Sequence, residues 1–137
     1  MRVILAFLAD EANVSQDGKL NVLGIFDRIP AASFPALHPK MVFVFRVQAE
    51  PGDSLRAYPV RVRLLDDAGQ VMFEANGELN AGPVDPDEFL TSNHVFSLVG
   101  VTFPRAGVYR FVVHVGALEA HETPFIVLSP ATDSSFN

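Results

Sequence analysis

The sequence has no cysteine and no tryptophan, only two tyrosines, and fewer basic than acidic side chains. Without cysteine it can form neither a disulfide framework nor a zinc–thiolate site, and it has no cysteine nucleophile. With 10 Lys and Arg against 16 Asp and Glu, its formal net charge is -6. That charge argues against nucleic acid, whose phosphates require clustered cations, and against docking on anionic lipid. The shortage of aromatic side chains that stack on sugars disfavours carbohydrate binding.

Long hydrophobic runs and catalytic signature motifs are also missing. No apolar run approaches the roughly 20 residues that a membrane-spanning helix needs. The sequence contains no G-x-S-x-G elbow, P-loop, H-E-x-x-H or G-x-G-x-x-G motif. We therefore expect a non-enzymatic protein that needs no cofactor and does not enter a membrane.

What the chain does have is enough apolar material for one core. Of its 137 residues 49% are hydrophobic, and 12 are phenylalanine. This length and composition suit a single domain. We expect one domain over residues 1–128, followed by a disordered polar tail over residues 129–137.

Alternation of apolar and polar side chains is the main structural signal. Every second residue from Met41 to Ala49 is apolar, and the same period recurs over residues 58–66 and 108–115. A period of two is typical of strands with one face in a core. Turn residues separate about eight such segments at intervals of about 8–12 residues. The pattern predicts an all-β fold, a two-sheet antiparallel β-sandwich of about eight strands.

Three segments interrupt this pattern. The polar segment 10–19 predicts a turn, and the three prolines of segment 30–39 predict a loop or an irregular sheet edge. Between them, residues 20–29 form one predicted strand that contains Gly24. A glycine inside a strand indicates a bulge or a close approach of the backbone to another group.

One short motif refines the fold class. The pattern Gly107-x-Tyr109-x-Phe111 follows a turn and resembles the tyrosine corner of immunoglobulin-like sandwiches. Phe111 stands where antibody domains carry a disulfide cysteine, and Arg105 replaces the acidic residue that usually precedes the motif. We therefore expect the sandwich to be immunoglobulin-like.

A longer motif carries a family resemblance. Residues 8–24 read LADEANVSQDGKLNVLG. This segment resembles the opening, L-A-D-x-A-N-V-S-x-D-G-K-L-N-V-L-G, of an uncharacterised bacterial family of short single-domain β proteins. Segments 33–39 and 104–111 resemble the same family. The resemblance implies a bacterial, cytoplasmic setting and no assigned activity.

The first candidate site is a cation loop. Asn13, Ser15 and Asp17 place oxygen atoms at alternate positions before Gly18, as calcium-binding loops do. Only Asp17 among the three is charged, and Gly24 stands where a bidentate glutamate would be needed. The alternative, which we favour, is a turn whose side chains bond to backbone N–H groups.

The second candidate is a histidine pair on a hairpin over residues 114–121. Depending on register, His114 lies opposite either Glu119 or His121. These side chains have the chemistry of an open zinc or nickel site. The alternative is that they are ordinary solvent-exposed residues of a hairpin.

The third candidate is an arginine stripe. Arg46, Arg61, Arg63 and Arg110 all fall at outward positions of predicted strands. If the first three share a sheet, they form a cationic patch suited to carboxylates or phosphates. The alternative is a solvated face on which they pair with Gln48, Glu50 and Glu74.

Outward apolar residues suggest what the domain does. Val42, Val44, Leu65 and Val112 are predicted to point away from the core. A solvated face does not need them, so we expect a protein-interaction or self-assembly module that uses a sheet face or an open edge strand. Two alternatives stay open: a metal-dependent binder or hydrolase using the 13–18 loop or the 114–121 hairpin, and a structural subunit of a larger, phage-derived assembly.

Overall fold

A computed structural model describes residues 1–51, 53, 56–81, 87–118 and 120–130. The described strands are β1 Arg2–Val14, β2 Leu20–Phe26, β3 Arg28–Pro30, β4 Ala36–Ala49, β5 Arg56–Leu65, β6 Val71–Ala81, β7 Leu90–Phe103, β8 Gly107–Val115 and β9 His121–Leu128. The predicted all-β fold is confirmed. Most of the tail expected to be disordered, residues 131–137, lies outside the described residues.

The strands form two sheets. A four-stranded sheet has the order β2-β1-β4-β7, and a five-stranded sheet has the order β3-β9-β8-β5-β6. This order matches that of an immunoglobulin sandwich. In the first sheet, β4 and β7 correspond to strands B and E. In the second sheet, β5, β8 and β9 correspond to strands C, F and G. The predicted sandwich class is therefore confirmed by the topology.

The segment 20–29 differs from the expectation of one strand. It divides at Asp27 into β2 and β3, which belong to different sheets. One residue is too short to reverse the chain, because tight hairpin loops need at least two. Thus β3 pairs in parallel with β9, which is the one exception, among the described strand pairs, to the predicted antiparallel sandwich.

Half of each segment in which a turn or a loop was expected is strand. The β1 strand continues to Val14, so that the turn expected over residues 10–19 is confined to residues 15–19. The β4 strand begins at Ala36, inside the proline-containing segment 30–39, because it pairs there with the end of β7. Pairing between strands therefore overrides the local preferences of polar residues and proline.

Aromatic side chains join the two sheets. Phe43 of β4 stacks on Phe111 of β8 with ring centroids 4.4 Å apart, at the place where antibody domains have their disulfide. Tyr109 is fully buried, and its hydroxyl donates a hydrogen bond of 2.6 Å to the carbonyl of Arg105. This bond closes the predicted tyrosine corner. Arg105 also pairs with the carboxylate of Asp67.

Gly24 bends the β1–β2 hairpin. Its φ is 72°, and a Cβ at this position would lie 2.5 Å from Oδ2 of Asp10. The predicted close approach is thus confirmed. Phe26 packs into the core between the sheets, whereas Val22 and Leu20 pack on the outer face of the four-stranded sheet. These three residues are separated by even numbers of positions, so in a regular strand they would all point to the same face. The alternation of inward and outward side chains is therefore inverted at Gly24.

The far half of this hairpin lies over the outer face of the four-stranded sheet. Ala12, Leu20 and Val22 pack against a second buried group formed by Ala9, Val42 and Val44. At the tip, the Gly18 carbonyl accepts a hydrogen bond of 3.4 Å from Nδ2 of Asn93 on β7. The hairpin therefore reaches across its own sheet and covers it.

Candidate interaction surfaces

The predicted arginine stripe is divided between the two sheets. Arg46 lies on β4, whereas Arg61 and Arg63 lie on β5 and Arg110 on β8. Because β4 and β5 belong to different sheets, the prediction of one patch formed by Arg46, Arg61 and Arg63 is wrong. Arg46 instead donates a hydrogen bond of 2.8 Å from Nε to Oδ1 of Asn93.

The outer face of the five-stranded sheet brings Arg61, Arg63 and His114 together, and we call these three residues the basic cluster. Arg61 is directly opposite His114, and Arg63 is directly opposite Val112. Side chains at alternate positions of paired strands share one face, so all four point to the same side. The sequence indicated the arginines but not the histidine, because their grouping depends on the pairing of β5 with β8.

The basic cluster lacks acidic partners within the described part of the chain. No carboxylate there lies within 4.0 Å of the guanidinium of Arg61 or Arg63. Glu74 is the cross-strand neighbour of Arg63, yet the ion pair predicted between these positions does not form. Arg110, by contrast, lies 3.5 Å from the carboxylate of Glu122.

Two nitrogen atoms of the basic cluster are shielded from water and have no hydrogen-bond partner within the described chain. They are Nε of Arg63 and Nδ1 of His114. Burial lowers the pKa of His114, and the neighbouring charges of Arg63 and Arg61 lower it further. His114 is therefore neutral at pH 7, and the cluster carries the two positive charges of its arginines.

The outward apolar residues do not form an open surface. Val42 and Val44 are buried beneath the β1–β2 hairpin. Val112 is 4% exposed and lies between its cross-strand neighbours Arg63 and Glu122. We attribute its burial to the aliphatic stems of these two side chains. Leu65 is half-buried. The expectation that Val42, Val44 and Val112 present an exposed apolar face is therefore wrong.

The oxygen atoms of the predicted cation loop are engaged within the hairpin. The Ser15 hydroxyl donates to the Asp17 carboxylate, and Nζ of Lys19 lies 3.3 Å from Oδ2 of Asp17. Both contacts lower the pKa of Asp17, and the hydrogen bond from Ser15 has the larger effect. Oδ1 of Asn13 accepts a hydrogen bond of 3.0 Å from Asn21.

This geometry fits the capping alternative better than a metal site, because a divalent cation would have to displace the Lys19 ammonium. Metal binding at Asn13, Ser15 and Asp17 stays a prediction. Elsewhere in the described residues, no group of three His, Asp or Glu side chains is close enough to hold a metal ion.

The predicted histidine pair does not form. His121 lies opposite Val113, whose side chain is buried between the sheets. His114 is the next residue along β8 and therefore points to the other face. Neither register considered from the sequence is present, and Glu119 lies outside the described residues.

The described sheets end at four strands, and β7 is the least protected of them. It has 14 residues and contains no Asp, Glu, Lys, Arg or Pro. Burial lowers the pKa of His94, which keeps the strand uncharged at pH 7. Val99, on its outer face, is 78% exposed.

The other three edges carry features that discourage pairing with another chain. The β6 edge has Glu74 and Glu78, and the three-residue β3 edge has Arg28 and Pro30. The β2 edge is as uncharged as β7, but it has only seven residues and its fifth is a left-handed glycine, Gly24. The β7 edge also has a left-handed glycine, Gly100 with a φ of 69°, but ten residues, Leu90–Val99, precede it. Charges, proline, short length and bends are the usual means by which proteins protect sheet edges. The sequence shows the absence of charge over residues 90–103, but only the strand order shows that this segment is an edge.

In the part of the chain that the structure describes, no helix is both long and apolar enough to span a membrane. A family model described as "family of unknown function (DUF6941)" matches residues 4–128. This agrees with the resemblance to an uncharacterised family. No curated protein matches the chain.

Proposed function

We propose that this chain, which belongs to that family of unknown function, is a non-enzymatic protein-interaction module that pairs a partner strand with the outer edge of β7. The observation that carries the proposal is that β7 is the longest described edge strand and carries no charge. The β6 and β3 edges are charged, and the uncharged β2 edge is half as long as β7. The bacterial, cytoplasmic setting implied by the sequence resemblance is part of the same proposal.

Strand addition suits β7 because the strand is already ordered. It pairs with β4 from Leu90 to Phe103, and it is anchored by Leu98 and Phe103, which are buried between the sheets. At about 3.3 Å per residue it offers an edge roughly 45 Å long. An incoming strand would gain main-chain hydrogen bonds without the cost of ordering this template.

The first partner to test is a second copy of the chain. Two β7 strands related by a two-fold axis run antiparallel and bring no like charges together, because the strand contains no ionised side chain at pH 7. Such pairing would join two four-stranded sheets into one continuous sheet. A segment of another protein with similar chemistry would use the same edge.

Sedimentation velocity across a concentration series tests self-association, with two matched lysine variants. Val99→Lys puts a charge on the β7 edge, whereas Leu23→Lys puts one on β2 at the opposite edge of the same sheet, where Leu23 is 70% exposed. We expect the parent protein and Leu23→Lys to dimerise and Val99→Lys to remain monomeric. Equal behaviour of the two variants would contradict pairing through β7.

If the parent protein is a monomer, a photo-crosslinking residue at the exposed position Thr102 of β7 tests for a different partner in the native host. We expect one defined adduct that Val99→Lys weakens and Leu23→Lys preserves. A monomer that gives no such adduct would refute the proposal. Filaments or rings in electron micrographs would instead favour the structural-subunit alternative.

A further inference from the structure

We propose that the basic cluster of Arg61, Arg63 and His114 is a binding site for a carboxylate group of an acidic protein segment. This site lies on the outer face of the five-stranded sheet, whereas β7 belongs to the other sheet. The inference is therefore independent of strand addition at β7.

The first argument is that these two arginines stand out from the other cations. Most Lys and Arg side chains that the structure describes have an acidic partner. The pairs are Arg2–Glu50, Lys19–Asp17, Arg28–Asp27, Lys40–Glu11, Arg105–Asp67 and Arg110–Glu122. Arg46 bonds to Asn93 instead. The two arginines without an ion pair or a hydrogen bond in the described chain are Arg61 and Arg63, which are also neighbours on one face.

The second argument is that acids are not scarce. The chain has 16 Asp and Glu for 10 Lys and Arg, and Glu74 is directly across from Arg63. Arg61 and Arg63 lie two residues apart on β5 and share one face, so their like charges repel each other and lower the stability of the fold. The fold leaves this repulsion uncompensated although acidic residues are near. Such an arrangement is suited to bind a negatively charged group of another molecule.

The third argument is the state of the shielded nitrogen atoms. Nε of Arg63 and Nδ1 of His114 are removed from water but make no hydrogen bond within the described chain. Shielded polar atoms without partners are rare, because their lost hydration is not replaced. In this conformation a carboxylate oxygen, which is about as large as a water molecule, cannot reach these two atoms either, so binding requires the Arg63 and His114 side chains to turn outward. The carboxylate would then supply the missing acceptor oxygens and would favour the imidazolium form of His114, which has two N–H donors.

Carboxylate fits better than phosphate at this position. A guanidinium binds a carboxylate through two parallel hydrogen bonds. Glu74 and Glu122 flank the site, as the cross-strand neighbours of Arg63 and Val112. These acids repel a doubly charged phosphate more strongly than a singly charged carboxylate, and the net charge of -6 adds to the difference.

Nitrogen-15 NMR of the full chain tests the site with three probes: a terminally blocked tetraglutamate peptide, acetate and inorganic phosphate. We expect the peptide to produce saturable shifts of the Arg61 and Arg63 Nε–H signals and of the His114 ring, and to raise the pKa of His114. Arg61→Gln and Arg63→Gln should each weaken peptide binding by about tenfold. The matched control Arg46→Gln, on the other sheet, should leave affinity unchanged.

Each remaining outcome decides the proposal. Absence of saturation with the peptide, or equal loss of affinity in Arg46→Gln, would overturn the site. Tighter binding of phosphate than of peptide would overturn the carboxylate assignment, and acetate binding as tightly as the peptide would overturn the assignment to a protein segment. Arg61 is exposed, and its removal relieves the repulsion with Arg63, so Arg61→Gln should keep or slightly raise the urea midpoint. This variant therefore decides the outcome even if Arg63→Gln unfolds.

Discussion

The two outer faces of the sandwich bury their apolar residues in different ways. On the four-stranded sheet, the chain's own β1–β2 hairpin covers Val42 and Val44 with further apolar side chains. On the five-stranded sheet, Val112 is 4% exposed and has Arg63 and Glu122 as its cross-strand neighbours, so we attribute its burial to the aliphatic stems of these charged side chains. An apolar residue at an outward strand position therefore indicates that other side chains cover it. The tertiary structure decides whether those side chains are apolar or charged.

The largest expected effect comes from placing a carboxylate under each cover. Val44 is 0% exposed beneath the hairpin, so Val44→Asp buries an unpaired charge and should lower the free energy of unfolding by about 4 kcal/mol. Val112→Asp places its carboxylate beside Arg63 and Arg61, which compensate it, but also directly opposite Glu122, which repels it, so it should cost about 2 kcal/mol. Urea unfolding at pH 7 measures both values.

The isosteric variants Val44→Thr and Val112→Thr separate the effect of charge from that of polarity. Each replaces a methyl group by a hydroxyl and adds no charge. Both threonine variants should cost about 1–2 kcal/mol, since each places a hydroxyl in a largely apolar contact. If Val112→Asp destabilises as much as Val44→Asp, the arginines do not compensate a charge at this position and the contrast between the faces is lost.

A smaller effect is expected from the bend that brings the hairpin over its sheet. Gly24→Ala forces a left-handed backbone on alanine and places Cβ near Asp10, so we expect a loss of about 2 kcal/mol in unfolding free energy. Gly18 has a similar φ of 85°, but no atom lies within 4 Å of the position that a Cβ would take there. Gly18→Ala should therefore cost only the backbone strain, about 1 kcal/mol.

Hydrogen exchange at the amides of residues 42–44 shows whether Gly24→Ala also loosens the cover. We expect faster exchange there than in Gly18→Ala. Equal stability and equal exchange in the two variants would mean that the Asp10 side chain moves aside at no cost.

The smallest effect concerns one histidine on each sheet. Burial lowers the pKa of His94, which stacks on Phe45 between the sheets, whereas the pKa of His114 is lowered by burial and by the two arginines. Raising the salt concentration to about 1 M should therefore raise the pKa of His114 and leave that of His94 unchanged. Titration of the two ring signals by NMR measures this difference.

Both histidines have a lower pKa in the folded than in the unfolded chain, so the unfolded chain binds more protons just below pH 6.5. The free energy of unfolding is therefore highest, with respect to these two groups, above pH 6.5, where both histidines are neutral in both states. It decreases as the pH falls below 6.5, because the unfolded chain then takes up protons more readily. Replacement of either histidine by glutamine should reduce this slope. An unchanged slope in both variants would show that neither histidine is linked to folding.

Local sequence patterns predicted the parts of the fold that depend on neighbouring residues. Alternation over 41–49 and 108–115 located β4 and β8, because a half-buried strand requires every second side chain to be apolar. Tyr109 located the tyrosine corner, since its hydroxyl bonds to a carbonyl only four residues earlier. The wrong predictions share a different cause: the arginine patch, the histidine pair and the open apolar face all depended on which strands are neighbours.

The amino-acid sequence by itself determined that this chain forms β-strands around a phenylalanine-rich core, because the period of two and the turn residues act over short distances. The order of the strands, the inverted alternation at Gly24 and the hairpin cover were decided by the tertiary structure, since they arise from contacts between distant segments. The same contacts made β7 an edge and placed Arg61, Arg63 and His114 together without an acidic partner within the described chain. The physical reason is that strand pairing selects which side chains share a face, and one sequence pattern is compatible with many pairings.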